Sequence, residues 1–285
     1  MLEYSAAGQH VRTLFTKQYL PDGIAISRDK MCMFWTCMGF LGADDGMIYS
    51  ANLDGSNMIP LTKKGVMNTP KQITIDTSTG KLYIAGREVL CIWRCNPDGS
   101  DLEQLIKTGQ RDRKNHTEDS KRWCVGIAIS PRLRKIFWTQ KGAPKGWQGR
   151  IFSAGIDVPN GETPAARSDI ECLAEGLAEP VDLEFHEESQ TLYWTDRGEM
   201  PFGNTLNRLR VDEEGQREAA CTPLLKYQIL ARKFHEAIGL KIDVERGQVY
   251  VADLGGSICS CNLDGSGKTR LLFEEQRAFT GIALF

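Results

Sequence analysis

Tyr193-Trp194-Thr195-Asp196 reads as a β-strand that ends in a turn: two aromatics, a β-branched residue, then an aspartate. The stretch gains its meaning from its copies. Phe34-Trp35-Thr36-Cys37, Phe137-Trp138-Thr139-Gln140, Tyr250-Val251-Ala252-Asp253 and the looser Leu82-Tyr83-Ile84-Ala85 recur at a spacing of roughly fifty residues, the signature of a repeat architecture. Each copy follows an apolar strand: residues 23–27, 72–76, 125–129, 181–185 and 238–243. Each precedes a third strand: residues 48–52, 91–95, 150–154, 206–211 and 257–262. A fourth strand is expected at 59–61, 102–106, near 171–173, at 222–227 and at 269–273. Asp54-Gly55, Asp98-Gly99 and Asp264-Gly265 mark tight turns, where glycine supplies the positive backbone angle. No long helical period competes with this pattern. Only residues 226–236 suggest a helical turn or two.

The two ends complement each other. Residues 279–285, Phe-Thr-Gly-Ile-Ala-Leu-Phe, repeat the first strand of a unit. Residues 2–6 and 11–15 resemble a third and a fourth strand, and no second strand is found for this unit. The expectation is therefore an all-β, six-bladed β-propeller forming one domain over residues 1–285. Its last blade would be closed by N-terminal outer strands and the C-terminal inner strand, with three strands or four.

Composition bounds the function. Of 285 residues, 41% are hydrophobic and 25% charged, and the formal net charge of -2 argues against a nucleic-acid partner. A mixed-charge stretch around His116 reads as a solvated loop. No apolar run approaches the ~20 residues of a membrane span, and the N-terminus shows no leader pattern. The nine cysteines form no CxxC pair and read as free thiols packed in a reducing, cytoplasmic compartment. The sequon at Asn115-His116-Thr117 is discounted on the same ground.

The repeat resembles the YWTD repeat, the class B repeat of the low-density lipoprotein receptor family, whose members form six-bladed propellers. The resemblance covers nearly the whole chain. Asn52-Leu-Asp-Gly-Ser56 and Asn262-Leu-Asp-Gly-Ser266 match the family's next strand and turn. In size, repeat style and end closure the chain also resembles stand-alone propellers of fungal natural-product pathways, some of which act as hetero-Diels–Alderases. That resemblance implies a cofactor-free enzyme joining a polyketide-derived quinone methide to a terpene alkene.

Antiparallel blades place their second-to-third strand loops and blade connections on one face, here called the upper face. Those loops are the long ones: residues 37–46, 63–70, 107–123, 140–149, 197–204 and 226–236. Long loops on a rigid scaffold are where binding usually sits. They carry Phe40, Leu41, Met67, Trp123, Trp147, Met200, Phe202, Tyr227 and Phe234, candidates to bind hydrophobic small molecules. Lys141, Arg197, His116, His235 and Arg232 are the candidate catalytic donors, and Lys145 and Arg277 lie among them.

Other chemistries have weaker support. The Gly-x-Ser-x-Gly elbow of a serine hydrolase is absent, and the histidines lack zinc-ligand spacing. Asp22, Asn68 and Asp182 give an incomplete set for the calcium of a lactonase-type hydrolase. No Gly-rich phosphate loop is seen. The expected activity is a [4+2] cyclisation needing no cofactor. A protein-binding propeller and a calcium-dependent hydrolase are the alternatives.

Overall fold

The computed structural model describes residues 1–40, 42–216 and 227–285. Leu41, Cys221 and most of the strand expected at 222–227 lie outside the described residues. The described residues form five four-stranded antiparallel sheets and one two-stranded sheet. The short sheet pairs β1 (Leu2–Tyr4) with β2 (His10–Thr13).

The blades follow in chain order. Blade 1 holds β3 (Pro21–Ser27), β4 (Cys32–Cys37), β5 (Met47–Asn52) and β6 (Ile59–Pro60). Blade 2 holds β7 (Pro70–Ile75), β8 (Leu82–Gly86), β9 (Cys91–Cys95) and β10 (Glu103–Lys107). Blade 3 holds β11 (Cys124–Ser130), β12 (Lys135–Gln140), β13 (Gly149–Gly155) and β14 (Glu171–Leu177). Blade 4 holds β15 (Pro180–His186), β16 (Thr191–Asp196), β17 (Thr205–Arg210) and β18 (Gln228–Arg232). Blade 5 holds β19 (Ala237–Asp243), β20 (Gln248–Asp253), β21 (Ser257–Asn262) and β22 (Thr269–Phe273).

The described residues thus form five four-stranded blades, not the expected six. Residues 279–285 do lie between blades 5 and 1: Phe279 N–H donates to Asp253 O at 3.1 Å, and the Thr280 hydroxyl to Pro21 O at 2.9 Å. They form no strand, and β1 pairs only with β2. The physical reason is the missing second strand, without which neither edge has a ladder partner. Two smaller expectations also change. Residues 228–232 are strand rather than helical turn. The 107–123 loop contains a short α-helix, α1 (Lys114–Thr117), and a 3-10 turn (Ser120–Arg122).

Why the aromatic strand recurs is visible in its contacts. Trp138 and Trp194 are fully buried between neighbouring blades, and Trp35 is buried between blade 1 and the N-terminal segment at Met1, Leu14 and Phe15. The threonine that follows each tryptophan ties two blades together. Thr36 Oγ1 accepts from Gly23 N–H at 2.9 Å and donates to Lys71 O of the next blade at 2.6 Å. Thr139 does the same with Gly126 and Val181, both at 2.7 Å. Thr195 does so with Asp182 at 3.2 Å and Ile238 at 2.5 Å. Thr195→Val keeps the shape and strands a buried N–H and a buried C=O. It is expected to cost about 2 kcal/mol, read as a lower urea midpoint at unchanged slope.

The three Asp-Gly-Ser turns are superimposable in their bonding. The aspartate Oδ1 accepts from the serine N–H at 2.9 Å in each of Asp54, Asp98 and Asp264. Gly99 has φ +83°, and a Cβ there would lie 2.2 Å from Leu61 O of the neighbouring blade, so the turn and the close approach both require glycine. Cys32, Cys37, Cys91, Cys95, Cys124, Cys259 and Cys261 are free thiols. Burial pushes Cys91, Cys95 and Cys124 up to about 12, which makes them inert packing residues.

Candidate functional site

In each blade the residue just after the second strand occupies one equivalent position on the upper face. These residues are Met38, Arg87, Lys141, Arg197 and Leu254. Their N–H groups all donate back to the connection entering the blade: to Leu20, Thr69, Trp123, Glu179 and Glu236 carbonyls, at 3.0–3.3 Å. The shared bond fixes where these side chains start. Three successive blades therefore present cations at the same level, and the flanking blades present Met38 and Leu254.

Just below, the second residue of each first strand lines the axis. Val125, Val181 and Ile238 form an apolar cluster with Trp123 and Leu254. Asp22 and Lys71 hold the equivalent places in blades 1 and 2 and form an ion pair at 2.5 Å. The mouth is therefore apolar on one side and ionic on the other.

Two of the cations, Lys141 and Arg197, converge on Glu179, which is buried, while Arg87 pairs with Glu88. Lys141 Nζ lies 2.8 Å from its Oε2, and Arg197 Nε lies 3.3 Å from the same atom. Arg197 also reaches Glu236 at 3.4 Å. Burial lowers the Lys141 ammonium below the usual lysine range. Glu179 opposes this shift, while Arg197 and Arg87 add to it. Arg87 lies 4.9 Å over the Trp123 ring, whose indole N–H donates to Thr117 O at 2.7 Å.

Asp196, the last residue of the complete repeat, sits behind this group. Its Oδ1 accepts from Glu179 N–H and Gly198 N–H, each at 2.9 Å. Burial pushes its carboxyl up to about 7; the two N–H donors oppose this and the Glu179 charge adds to it. Tyr227 is pushed up to about 12 by burial and by the Asp196 charge. Asp253 does the same mechanical work in blade 5, accepting from His235 N–H and Ser257 N–H.

The upper-face loops of blades 3 and 4 meet each other. Trp147 packs edge-on against Phe202 at 5.8 Å between ring centres, and Lys145 pairs with Glu199 at 2.9 Å. Arg232, on the outer strand β18, donates to Pro201 O and so holds this loop from behind. Met200 stands at its tip, exposed.

Lys141 and Arg197 thus meet on Glu179 with Trp123 beside Lys141, Trp147 and Phe202 meet each other, Met200 is exposed, and Tyr227 lies near Asp196. The remaining candidates lie elsewhere. Met67 is fully buried in the core between blades 1 and 2. Phe234 is buried in the blade 5 core under the Lys268 ammonium, 3.7 Å from its ring centre. An apolar side chain in a loop served as the signal, and these two use that apolarity for the core. His116 Nδ1 accepts from Gln110 N–H at 3.0 Å and organises its own loop. Phe40 packs on Tyr19 at 4.7 Å, and His235 lies against Gly255. Arg277 pairs with Glu274. Sequence reasoning missed Arg87 and Glu179. Aligning the repeats by the residue after the second strand would have found Arg87, because it shares that place with Lys141 and Arg197.

The carboxylates weighed for calcium are already committed. Asp22 is paired with Lys71. Asp182 accepts from Leu183 N–H at 2.9 Å and Leu240 N–H at 3.0 Å, and burial pushes it up to about 8. Among the described residues no three His, Cys, Asp or Glu side chains are grouped to hold a metal. Among the described residues no helix is long and apolar enough to cross a membrane.

Five radially arranged sheets, three of them tied to the next by a threonine of the aromatic strand, define a β-propeller of the YWTD type. No family model matches the sequence. The chain is 42% identical over 269 residues to low-density lipoprotein receptor-related protein 1 of Pyricularia oryzae, covering 93% of this chain and 85% of that protein, and it belongs to that protein's family. It is also 62% identical over all 285 residues to 3-hydroxyacyl-CoA dehydrogenase-like protein LAM1 of Cochliobolus heterostrophus, of which it spans 60%. Among solved structures, a chain of a nidogen/laminin complex shares the fold, with a TM-score of 0.68, 17% identity and coverage of 93% of this chain and 84% of that one. A gluconolactonase from Xanthomonas campestris does so at a TM-score of 0.64 and 14% identity, covering 94% of this chain and 80% of that one. The fold is therefore shared with an enzyme as well as with a component of a protein complex.

Proposed function

We propose that this propeller is a cofactor-free biosynthetic enzyme. It joins two hydrophobic molecules at the upper face of blades 2–4 by a hetero-Diels–Alder reaction of a quinone methide with a terpene alkene. The observation that carries this reading is the meeting of Lys141 and Arg197 on one buried carboxylate, Glu179, on the face that also carries Arg87 over the Trp123 ring and the Trp147–Phe202 pair. Such a site can hold a flat ring against aromatic faces while cationic N–H donors meet its oxygen.

The chemistry asks little else of the protein. The quinone-methide oxygen and its exocyclic carbon each form one bond to the alkene carbons, two π bonds are consumed, and nothing leaves. Negative charge grows on the oxygen in an asynchronous transition state. A donor placed there is worth about 3–4 kcal/mol in a water-poor site. Holding both reactants together removes a bimolecular entropy cost of up to about 7–11 kcal/mol.

No βαβ unit of the kind that holds a nicotinamide dinucleotide is present among the described residues. The propeller itself therefore offers no such seat for the dehydrogenase chemistry named in LAM1. A protein-binding reading draws on the exposed Trp147 and Met200 of the same rim.

The test is incubation of the folded chain with a quinone-methide precursor and a terpene alkene, scoring rate and stereochemical ratio. Enzymatic turnover shifts the ratio toward one isomer. Arg197→Gln is expected to lower the rate about 10- to 100-fold, as loss of a charge-assisted donor does. A product ratio equal to that of the protein-free reaction overturns the proposal and leaves the protein-binding reading standing.

A further inference from the structure

Lys141 shares its buried anion with an arginine. Its Nζ and the Arg197 Nε lie 2.8 and 3.3 Å from the same oxygen of Glu179. Glu236, which meets the far end of Arg197 at 3.4 Å, is half-exposed and therefore screened by solvent. Arg87, over the Trp123 ring, adds positive charge and keeps Glu88 as its own partner. Two cations thus draw on one buried carboxylate. An arginine does not release its proton, so the excess positive charge is relieved at the lysine. The groups that act on Lys141 come from three places: Glu179 from the connection into blade 4, Arg197 after β16 and Arg87 after β8. Burial and the two arginines favour the neutral amine, and Glu179 alone opposes them.

The surroundings of this amine are apolar. Lys141 N–H donates to Trp123 O at 3.3 Å, which sets the two residues side by side. Trp123 and Leu254 pack on Val125, Val181 and Ile238. The amine therefore has a proton acceptor in contact and an apolar cluster next to it. Two other lysines lack this combination. Lys71 is also largely buried and pairs with Asp22 at 2.5 Å, but among the described residues no arginine shares that carboxylate. Lys145 is well exposed, and its bond to Glu199 holds it above the usual lysine range.

The geometry points to Lys141 as an amine nucleophile that forms an imine with an aldehyde carried on a flat apolar body. Glu179 takes a proton from the ammonium and leaves a neutral amine. The nitrogen lone pair adds to the aldehyde carbon, and the nitrogen's next proton passes to the carbonyl oxygen, which becomes a hydroxyl. Glu179 returns its proton to that hydroxyl, which leaves as water while the C=N bond forms. The product is a protonated imine still paired with the Glu179 carboxylate, and no oxidant or reductant is consumed. Cationic neighbours and an apolar setting are the usual means of activating a lysine for this step. Lys141 is only 8% exposed, which favours an aldehyde over the bulkier ketone. This activity goes beyond the cycloaddition and does not depend on it.

The experiment incubates the full chain with 2-naphthaldehyde and sodium cyanoborohydride at neutral pH, and mass mapping of its peptides follows each alkylated lysine over time. Lys141 is expected to react at least about tenfold faster than Lys145 and Lys71, the effect of about one unit of pKa on the neutral fraction. Lys141→Arg loses that adduct and keeps the one at Lys145. Arg197→Gln leaves Glu179 to the lysine alone and is expected to slow Lys141 by about threefold or more, whereas a mere gain in access would speed it. The ranking of the three lysines is read on the unaltered chain and stands whether or not either variant folds. Labelling of Lys141 no faster than Lys145, equal labelling of Lys71, or an Arg197→Gln chain in which Lys141 reacts as fast or faster overturns the proposal. Neither quinone methide nor alkene is present, so the outcome is independent of the cycloaddition test.

Discussion

Glu179→Gln is expected to lower the stability of the propeller by about 3–5 kcal/mol, the cost of removing one partner from a buried ion pair. Glu179 is buried, and Lys141 has only 10% of its side chain exposed. Glutamine fits the space and still accepts a hydrogen bond, but it carries no charge. Lys141 would then face Arg197 with no buried anion between them, since Arg87 keeps its own partner Glu88. At about 4 Å and an effective dielectric near 20, each unit-charge interaction is worth on the order of 4 kcal/mol, so the loss is not absorbed by one hydrogen bond. A surface pair in the same loops gives the control. Lys145 and Glu199 lie as close as Lys141 and Glu179, yet both are well exposed, and Glu199→Gln is expected to change stability by less than about 1 kcal/mol. Urea unfolding of both variants measures the contrast. The double variant Lys141→Met, Glu179→Leu removes both buried charges and is expected to recover most of the loss. A Glu179→Gln cost no larger than that of Glu199→Gln would show that water reaches the pair and screens it.

Much of the fold was legible because the repeat states the same physical demand several times. The aromatic strand and the Asp-Gly-Ser turns can be read without coordinates; the threonine bridge and the packing of the turns at Gly99 and Gly265 against the preceding blade cannot. The limits were local. Residues 228–232 carry Gln, Ile, Leu, Ala and Arg, which suit a helix as well as an outer strand; pairing with β17 decides the matter. The sixth blade failed because the ends supply an inner strand and outer strands, but a ladder needs the strand between them.

The site was less legible, for a related reason. Loop aromatics were read as ligand-facing, and Trp147 and Phe202 do share a rim. Met67 and Phe234 show that a loop residue often folds back into a blade. Arg87 was passed over because it follows a weak copy of the repeat, although its backbone bond to Thr69 places it level with Lys141 and Arg197.

Stability is expected to fall as pH rises from about 5 to 8, the reverse of the trend set by salt-bridged carboxylates. Asp182 and Asp196 are both buried, with folded-state values of about 8 and about 7 against an unfolded value near 3.9. Their folded pKa values are raised, so the native state holds a proton that the unfolded chain has released. The stabilisation is complete below about pH 4 and is lost as pH climbs through 7 and 8. Each group contributes at most about 1.4 kcal/mol per pH unit, and two groups acting over this window are worth a few kcal/mol. Burial is the main cause for both, with Glu184 and Asp22 adding negative charge near Asp182 and Glu179 doing so near Asp196. Asp157, Asp169 and Glu274, whose partners hold them below the usual carboxylate range, act oppositely and remove stability in acid. Maximum stability is therefore expected near pH 4–5. Urea midpoints across pH 4–9 measure the curve. Asp182→Asn carries no titrating proton, so its midpoint should lose the upper part of the slope, above pH 7, even though the exchange of one acceptor lowers its stability throughout. A midpoint that stays level from pH 5 to 8 in the unaltered chain would mean that both carboxylates are already ionised in the fold. The bonds from Leu183, Leu240, Glu179 and Gly198 N–H groups would then outweigh the loss of water around them.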